Sequence, residues 1–104
     1  MIRKHYHKFH AKPVEADGIK FASKKERAFF EQLKLLQRSG EVLFFLRQTP
    51  LHLSDGKSKY VCDFLVFYAD GHVEFIDCKG FKTETYKLKK RLIESQYPIE
   101  IIEK

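Results

Sequence analysis

No run of apolar residues in this chain approaches the roughly 20 needed to cross a bilayer as a helix, and Met1 to His7 lack the apolar segment of a secretory leader. A membrane partner is therefore not expected, and the expected compartment is the cytoplasm. Cysteine is scarce, at two in 104 residues. Cys62 and Cys78 form no CxxC pair and the histidines show no HxxxH spacing, which disfavours zinc held by the two thiols with His5, His7 or His10. In a reducing compartment the thiols read as core residues, with a cross-strand disulfide as the alternative. There is no repeat, no low-complexity tract, no zinc finger and no recognition helix, so shape or strand structure, rather than base readout, would set any nucleic-acid preference. The length suits one domain that buries roughly 60 to 68% of its unfolded surface.

What is present is positive charge. Twenty Lys and Arg against 14 acids give a formal net charge of +6, which favours a polyanionic partner or serves solubility alone. Residues 1–18 are polar and basic, and read as an N-terminal arm closed by Pro13 and the Asp17-Gly18 turn. The arm is either a phosphate-contacting or partner-swapping extension or a loosely ordered terminus. Residues 19–104 form the single folded domain.

Ser23 to Ser39 predicts a helix, with Ser23 as N-cap and Gly40 as the stop. Ser23-Lys24-Lys25-Glu26 is a capping box, in which Glu26 would accept the Ser23 N–H. Glu26 also shares a face with Phe30, Leu33 and Gln37, which aims it toward the sheet, where a carboxylate needs a partner. Val42 to Leu53 predicts a long strand, or one bent at Pro50. Gln48 lies on it, placed either to position a water or phosphate oxygen or to satisfy a backbone group beside the proline. Ser54 to Lys59 is a hydrophilic turn.

The most informative stretch is Val61 to Gly80. Two β-branched and aromatic runs, Val61 to Tyr68 and His72 to Asp77, are separated by Ala69-Asp70-Gly71, which predicts a hairpin. A two-residue Asp70-Gly71 turn would pair Asp63 with Cys78. A three-residue loop with Gly71 left-handed pairs Asp63 with Asp77, and this is the register expected here. Alternation then puts Asp77 and Lys79 on one face and both cysteines on the other. Two acids directly opposite repel, so the pair calls for a cation, and hard oxygen ligands suit Mg²⁺ or Mn²⁺. A carboxylate-bound divalent ion with a nearby lysine is the equipment of phosphodiester hydrolysis.

Beyond Gly80, Phe81 to Ser95 predicts a second helix, N-capped by Thr83 or Thr85, with Leu88, Leu92, Ser95, Tyr86 and Ile93 as its core face. Its lysines either form a solvated face or, because the helix follows the Asp77-Cys78-Lys79 strand, contact the scissile phosphate. Lys82, Lys87 and Lys90, with Gln48, are the candidate DNA contacts. Ile99 to Glu103 predicts a last strand.

These motifs, in this order, resemble the PD-(D/E)XK nuclease superfamily, and more closely a small phage-derived family of that superfamily described as of unknown function. The likeness runs from Asp17-Gly18-Ile19-Lys20-Phe21-Ala22-Ser23-Lys24-Lys25-Glu26 through Leu33-Lys34-Leu35-Leu36, Ser39-Gly40-Glu41, Gln48, Cys62-Asp63-Phe64 and Asp77-Cys78-Lys79-Gly80 to Lys87-Leu88-Lys89-Lys90 and Tyr97-Pro98. Asp77 stands where much of the superfamily has Glu, and no proline precedes Asp63. The resemblance implies an αβββαβ restriction-endonuclease-like α/β core, a mixed sheet flanked by helices. It also implies a metal held by Asp63, Asp77 and the Cys78 carbonyl, with Glu26 as an additional ligand and Lys79 orienting or deprotonating the attacking water. The activity implied is that of a Mg²⁺-dependent DNA endonuclease, acting as a homodimer on branched, Holliday-junction-like DNA in phage replication or recombination, inside a bacterial host. The contrasting expectation is a catalytically silent nucleic-acid-binding module of the same fold.

Overall fold

The computed structural model describes residues 14–16 and 18–104, with side chains from Gly18 onward. Most of the segment read as a basic arm lies outside the described residues. Its last part, β1 (Val14–Ala16), pairs antiparallel with β2 (Ile19–Phe21) in a small ribbon. Gly18, at φ 75°, supplies the left-handed turn between them.

Helix α1 (Lys24–Arg38) begins and ends where its caps dictate. The Ser23 hydroxyl accepts the Glu26 N–H at 3.1 Å. At the other end Gly40, at φ 88°, lets its own N–H reach Gln37 O and the Glu41 N–H reach Leu36 O, a Schellman closure that satisfies carbonyls the helix leaves open. Phe30 and Leu33 are buried on the inner face beside Glu26, while Gln37 lies outside it and donates its amide to Leu43 O.

Three antiparallel strands follow, β3 (Val42–His52), β4 (Lys59–Tyr68) and β5 (Val73–Asp77). Helix α2 (Glu84–Gln96), capped by Thr83, then carries the chain over to β6 (Ile101–Glu103), which pairs parallel with β5. The sheet order β3-β4-β5-β6 with α1 and α2 flanking it is the expected αβββαβ mixed α/β core. Strand β3 runs straight through Pro50, which faces Val61. An edge strand tolerates a missing N–H, so of the two readings the long strand holds, and its irregularities lie at a bulge between Val42 and Phe44 and at the left-handed Gln48.

The β4–β5 hairpin has the three-residue loop. Tyr68 N–H donates to His72 O at 3.0 Å, leaving Ala69, Asp70 and Gly71 outside the ladder, and Gly71 sits at φ 97°. The register Phe67↔Val73 to Phe64↔Ile76 therefore brings Asp63 opposite Asp77.

Two apolar clusters cover the sheet. Phe21, Phe30, Leu33, Val42, Phe64, Val66, Ile76 and Cys78 form the one with α1. Leu53, Tyr60, Cys62, Ile93 and Ile101 form the one with α2. Both cysteines are buried free thiols as expected, but they fall in different clusters rather than on one face. In β4, Cys62 and Phe64 stand two residues apart yet fall in different clusters, so strict alternation breaks between them, around Asp63. Burial raises both thiol pKa values, Cys62 to about 11 and Cys78 to about 12, so each stays a protonated apolar filler.

The core face of α2 also differs from expectation. Ile93 is fully buried and Tyr86 packs against the same cluster, but Leu88 and Leu92 are 49% and 38% exposed. A polar tie takes the place of apolar packing on one side of the helix. Glu94 accepts the Ile101 N–H at 2.7 Å and pairs with Lys90 at 3.2 Å, occupying the side of α2 that meets β6.

Candidate active site

At the end of the β4–β5 ladder the backbone pairing gives way to carboxylates. The Asp63 N–H donates to Asp77 Oδ1 at 2.9 Å, and the Cys78 N–H donates to Asp63 Oδ2 at 2.9 Å. Each acid thus occupies an amide that the opposite strand would otherwise have paired. Such bonds stabilise the ionised form, while burial opposes it. Asp63 is 6% exposed and Asp77 is fully buried. For Asp77, desolvation prevails and its pKa is raised, against the pull of the Asp63 N–H and Lys79.

Asp77 Oδ2 is buried and accepts no hydrogen bond of ordinary geometry, although the Tyr86 hydroxyl stands near enough to draw the Asp77 pKa down. Around Asp77 stand Glu103, its register partner on β6, and Tyr86, whose hydroxyl donates to Glu103 Oε2 at 2.9 Å. Lys79 places its ammonium 3.7 Å from Asp63 Oδ2 and 5.5 Å from the centre of the Tyr86 ring, so its nearest acid is Asp63 rather than Asp77.

Glu26 comes to the same place from α1. Its capping bond goes to the Ala22 N–H, at 3.3 Å to Oε1, rather than to the Ser23 N–H expected from the capping box. The other oxygen, Oε2, accepts from Gln48 Nε2 at 2.8 Å and from Arg47 Nη2 at 3.4 Å. Gln48 Nε2 also lies 3.3 Å from Asp63 Oδ1. Glu26 is 3% exposed, and its pKa is raised first by burial and then by Asp63, against the Ala22 N–H and Arg47.

Arg47 and Gln48 are neighbours on one strand, where successive side chains point to opposite faces. Both nevertheless reach Glu26 Oε2. Gln48 makes this possible by taking φ 50°, a left-handed conformation unusual for a residue other than Gly, while pairing on either side continues through Arg47↔Phe64 and Thr49↔Cys62.

The structure thus links Glu26, Gln48 and Asp63 on one side and Asp63 with Asp77 on the other, with Asp63 common to both. Among the described residues no three His, Cys, Asp or Glu side chains stand ready as a cage. The donors are nonetheless those a hard cation takes, and Asp77 Oδ2 is a buried oxygen with no hydrogen bond of ordinary geometry.

The lysines read as DNA contacts each carry an acid. Lys82 lies 3.8 Å from Glu103, Lys87 3.3 Å from Glu84, and Lys90 3.2 Å from Glu94. Lys87 is half exposed, whereas Lys90 is mostly covered.

Arg47, Tyr86 and Glu103 escaped the sequence reading as site residues. A buried acid on α1 demands a counter-ion, which is the signal that could have found Arg47. Its guanidinium also stacks on Phe21, 4.4 Å from the ring centre. Nothing local in the sequence marks the arrival of Glu103 beside Asp77, because that contact depends on the parallel β5–β6 register.

A mixed α/β domain with buried acids at a strand divergence is the class that the fold and site define. The chain belongs to the family described as protein of unknown function (DUF1064), whose model matches residues 6–101. No curated protein and no solved structure matches it. No helix among the described residues is long and apolar enough to cross a membrane.

Proposed function

We propose that the protein is a PD-(D/E)XK-type, divalent-metal-dependent DNA endonuclease that hydrolyses phosphodiester bonds. The observation that carries this reading is the buried Asp63–Asp77 pair, in which Asp77 Oδ2 has only the nearby Tyr86 hydroxyl, itself bonded to Glu103, and no hydrogen bond of ordinary geometry. Three buried carboxylates, with Lys79 on Asp63 and Arg47 on Glu26, leave negative charge that those two side chains do not offset, which a divalent cation would. In this reading Asp63, Asp77, Glu26 and the Cys78 carbonyl hold Mg²⁺ or Mn²⁺. The bound ion would neutralise charge on the phosphoryl oxygens and supply hydroxide near neutral pH. As the ammonium held by Asp63, Lys79 would orient the water; only as the neutral amine could it take the proton.

DNA is the proposed partner, supported by the net charge of +6. Gln48, Lys82, Lys87 and Lys90 are the proposed contacts, and branched DNA of phage recombination in a bacterial cytoplasm is the proposed setting, carried over from the family resemblance. The homodimer is supported by an uncovered apolar area on the α2 side of the sheet. Phe44 stacks on Phe67 at 4.3 Å and pairs in register with it, Leu46 faces Leu65, and Phe44, Leu46 and Val73 are each 40% or more exposed.

A second reading is a silent nucleic-acid-binding module, favoured by the same 3.7 Å Lys79–Asp63 contact taken as a plain ion pair. Incubating labelled four-way junction, flap, single-strand and duplex DNA with the protein in Mg²⁺ or Mn²⁺ separates the two. Metal-dependent cleavage of any of these supports the nuclease, and binding without cleavage supports the module.

A further inference from the structure

We infer that Gln48 is itself a metal ligand, a neutral amide that donates to the two acids beside it and turns its carbonyl oxygen to a cation when one binds. The inference rests on the metal site proposed above and assigns it a donor beyond the carboxylates.

The first support is backbone geometry. Gln48 adopts φ 50° within a continuous strand, and unusual conformations of this kind persist where surrounding structure enforces them, often at functional sites. Here the result is specific, because the turn sends the side chain toward Glu26, which the preceding Arg47 also reaches.

The second support is the chemistry of the amide. One atom, Nε2, lies 2.8 Å from Glu26 Oε2 and 3.3 Å from Asp63 Oδ1, so its two N–H groups are shared between two buried carboxylates. A lysine here would add a permanent charge that repels a cation, and an apolar residue would take away the donor that Glu26 Oε2 and Asp63 Oδ1 share. A carboxamide does neither. Its last torsion exchanges donor for acceptor by a half turn, without moving the backbone. Once a divalent ion sits on those oxygens, N–H groups would face positive charge and Oε1 is the end that is attracted. Amide carbonyls are ordinary ligands of hard cations.

Isothermal calorimetry with Mn²⁺ on the intact protein and its variants tests this, alongside the Gln48 side-chain NH₂ signals in nitrogen-15 NMR spectra titrated with Mg²⁺. Gln48→Met removes both amide ends at similar length. Gln48→Gly does so in a residue that accepts the left-handed backbone, so a fall in both cannot be blamed on folding. Each should weaken Mn²⁺ binding roughly tenfold or more, and Gln48→Glu, which restores an oxygen but no donor, should recover it. In the wild type the NH₂ signals should move upfield with Mg²⁺ as the N–H groups leave the carboxylates. Wild-type binding that is unchanged in Gln48→Met and Gln48→Gly, or NH₂ signals that ignore saturating Mg²⁺, would overturn the ligand role and leave the carboxylate site standing. Absence of Mn²⁺ binding to the folded wild type would overturn both.

Discussion

Asp63 donates its backbone N–H to Asp77 Oδ1 at 2.9 Å, and these two acids, from strands that have just stopped pairing, are among the most buried polar residues of the domain. Because the Asp77 side chain takes the place of a ladder bond, the strands end in carboxylates rather than in backbone. Cys78 N–H on Asp63 Oδ2 completes the exchange. The acids are therefore held by the fold itself, which is how the proposed metal site would keep its geometry without a cation.

Glu26→Gln separates the roles of the α1 carboxylate. The amide oxygen still accepts the Ala22 N–H and repulsion with Asp63 is relieved, but the new NH₂ faces the Gln48 and Arg47 donors and Arg47 loses its counter-ion, so the thermal midpoint should fall modestly while the domain stays folded. Cleavage at subsaturating Mg²⁺ should fall about tenfold or more, about 1.4 kcal/mol in transition-state stabilisation. Full activity in this variant would confine Glu26 to capping and packing.

Lys87 and Lys90 should behave differently although both belong to α2. Replacing the half-exposed Lys87 by Ala should leave stability near wild type and reduce the salt dependence of duplex binding by roughly 0.9 in log–log slope. Lys90→Ala should reduce the slope comparably and also cost about 0.5 to 1 kcal/mol in denaturant unfolding. That cost arises because Lys90 is the partner of Glu94, which ties α2 to Ile101. A pair of unchanged slopes would return both lysines to a solvated face.

The hairpin tip provides a pH signature remote from the acids. His72 pairs with Asp70 and lies 3.6 Å from Glu74, and the Asp70 bond, chiefly, raises its pKa above 6.5. A raised folded-state value means that the imidazolium's stabilising contribution is full below pH 6.5. It is lost as pH rises through the folded value. Proton NMR titration should therefore find His72 titrating above 6.5, and Asp70→Asn should bring it back toward 6.5. A wild-type value at or below 6.5 would contradict the pairing.

Much of this was legible in the sequence where local chemistry decides. Ser23 and Gly40 mark the ends of α1, and Ala69-Asp70-Gly71 sets the hairpin register that brings Asp63 to Asp77. What local chemistry could not give were features set by tertiary contact. Leu88 and Leu92 read as core by periodicity, but Ile93 faces inward and Glu94, bonded to the Ile101 N–H, occupies the side of α2 that meets β6. Cys62 and Cys78 looked like neighbours by strict alternation, which fails around the consecutively buried Asp63. Gln48 was visible as a polar residue in an apolar strand. Its left-handed backbone was not, since nothing but the combined demands of Glu26 and Asp63 calls for it.

The central claim is that buried carboxylates of β4 and β5 hold a divalent metal for phosphodiester hydrolysis, and Asp77→Asn tests it most directly. Asparagine keeps an oxygen for the Asp63 N–H and relieves a buried charge whose pKa is already raised, so the variant should fold with undiminished thermal stability. Side by side with the wild type, on the same labelled junction and duplex DNA in Mg²⁺ or Mn²⁺, the variant should show no cleavage above background and markedly weaker Mn²⁺ binding by calorimetry. Cleavage and Mn²⁺ binding by folded Asp77→Asn equal to those of the wild type would contradict the account.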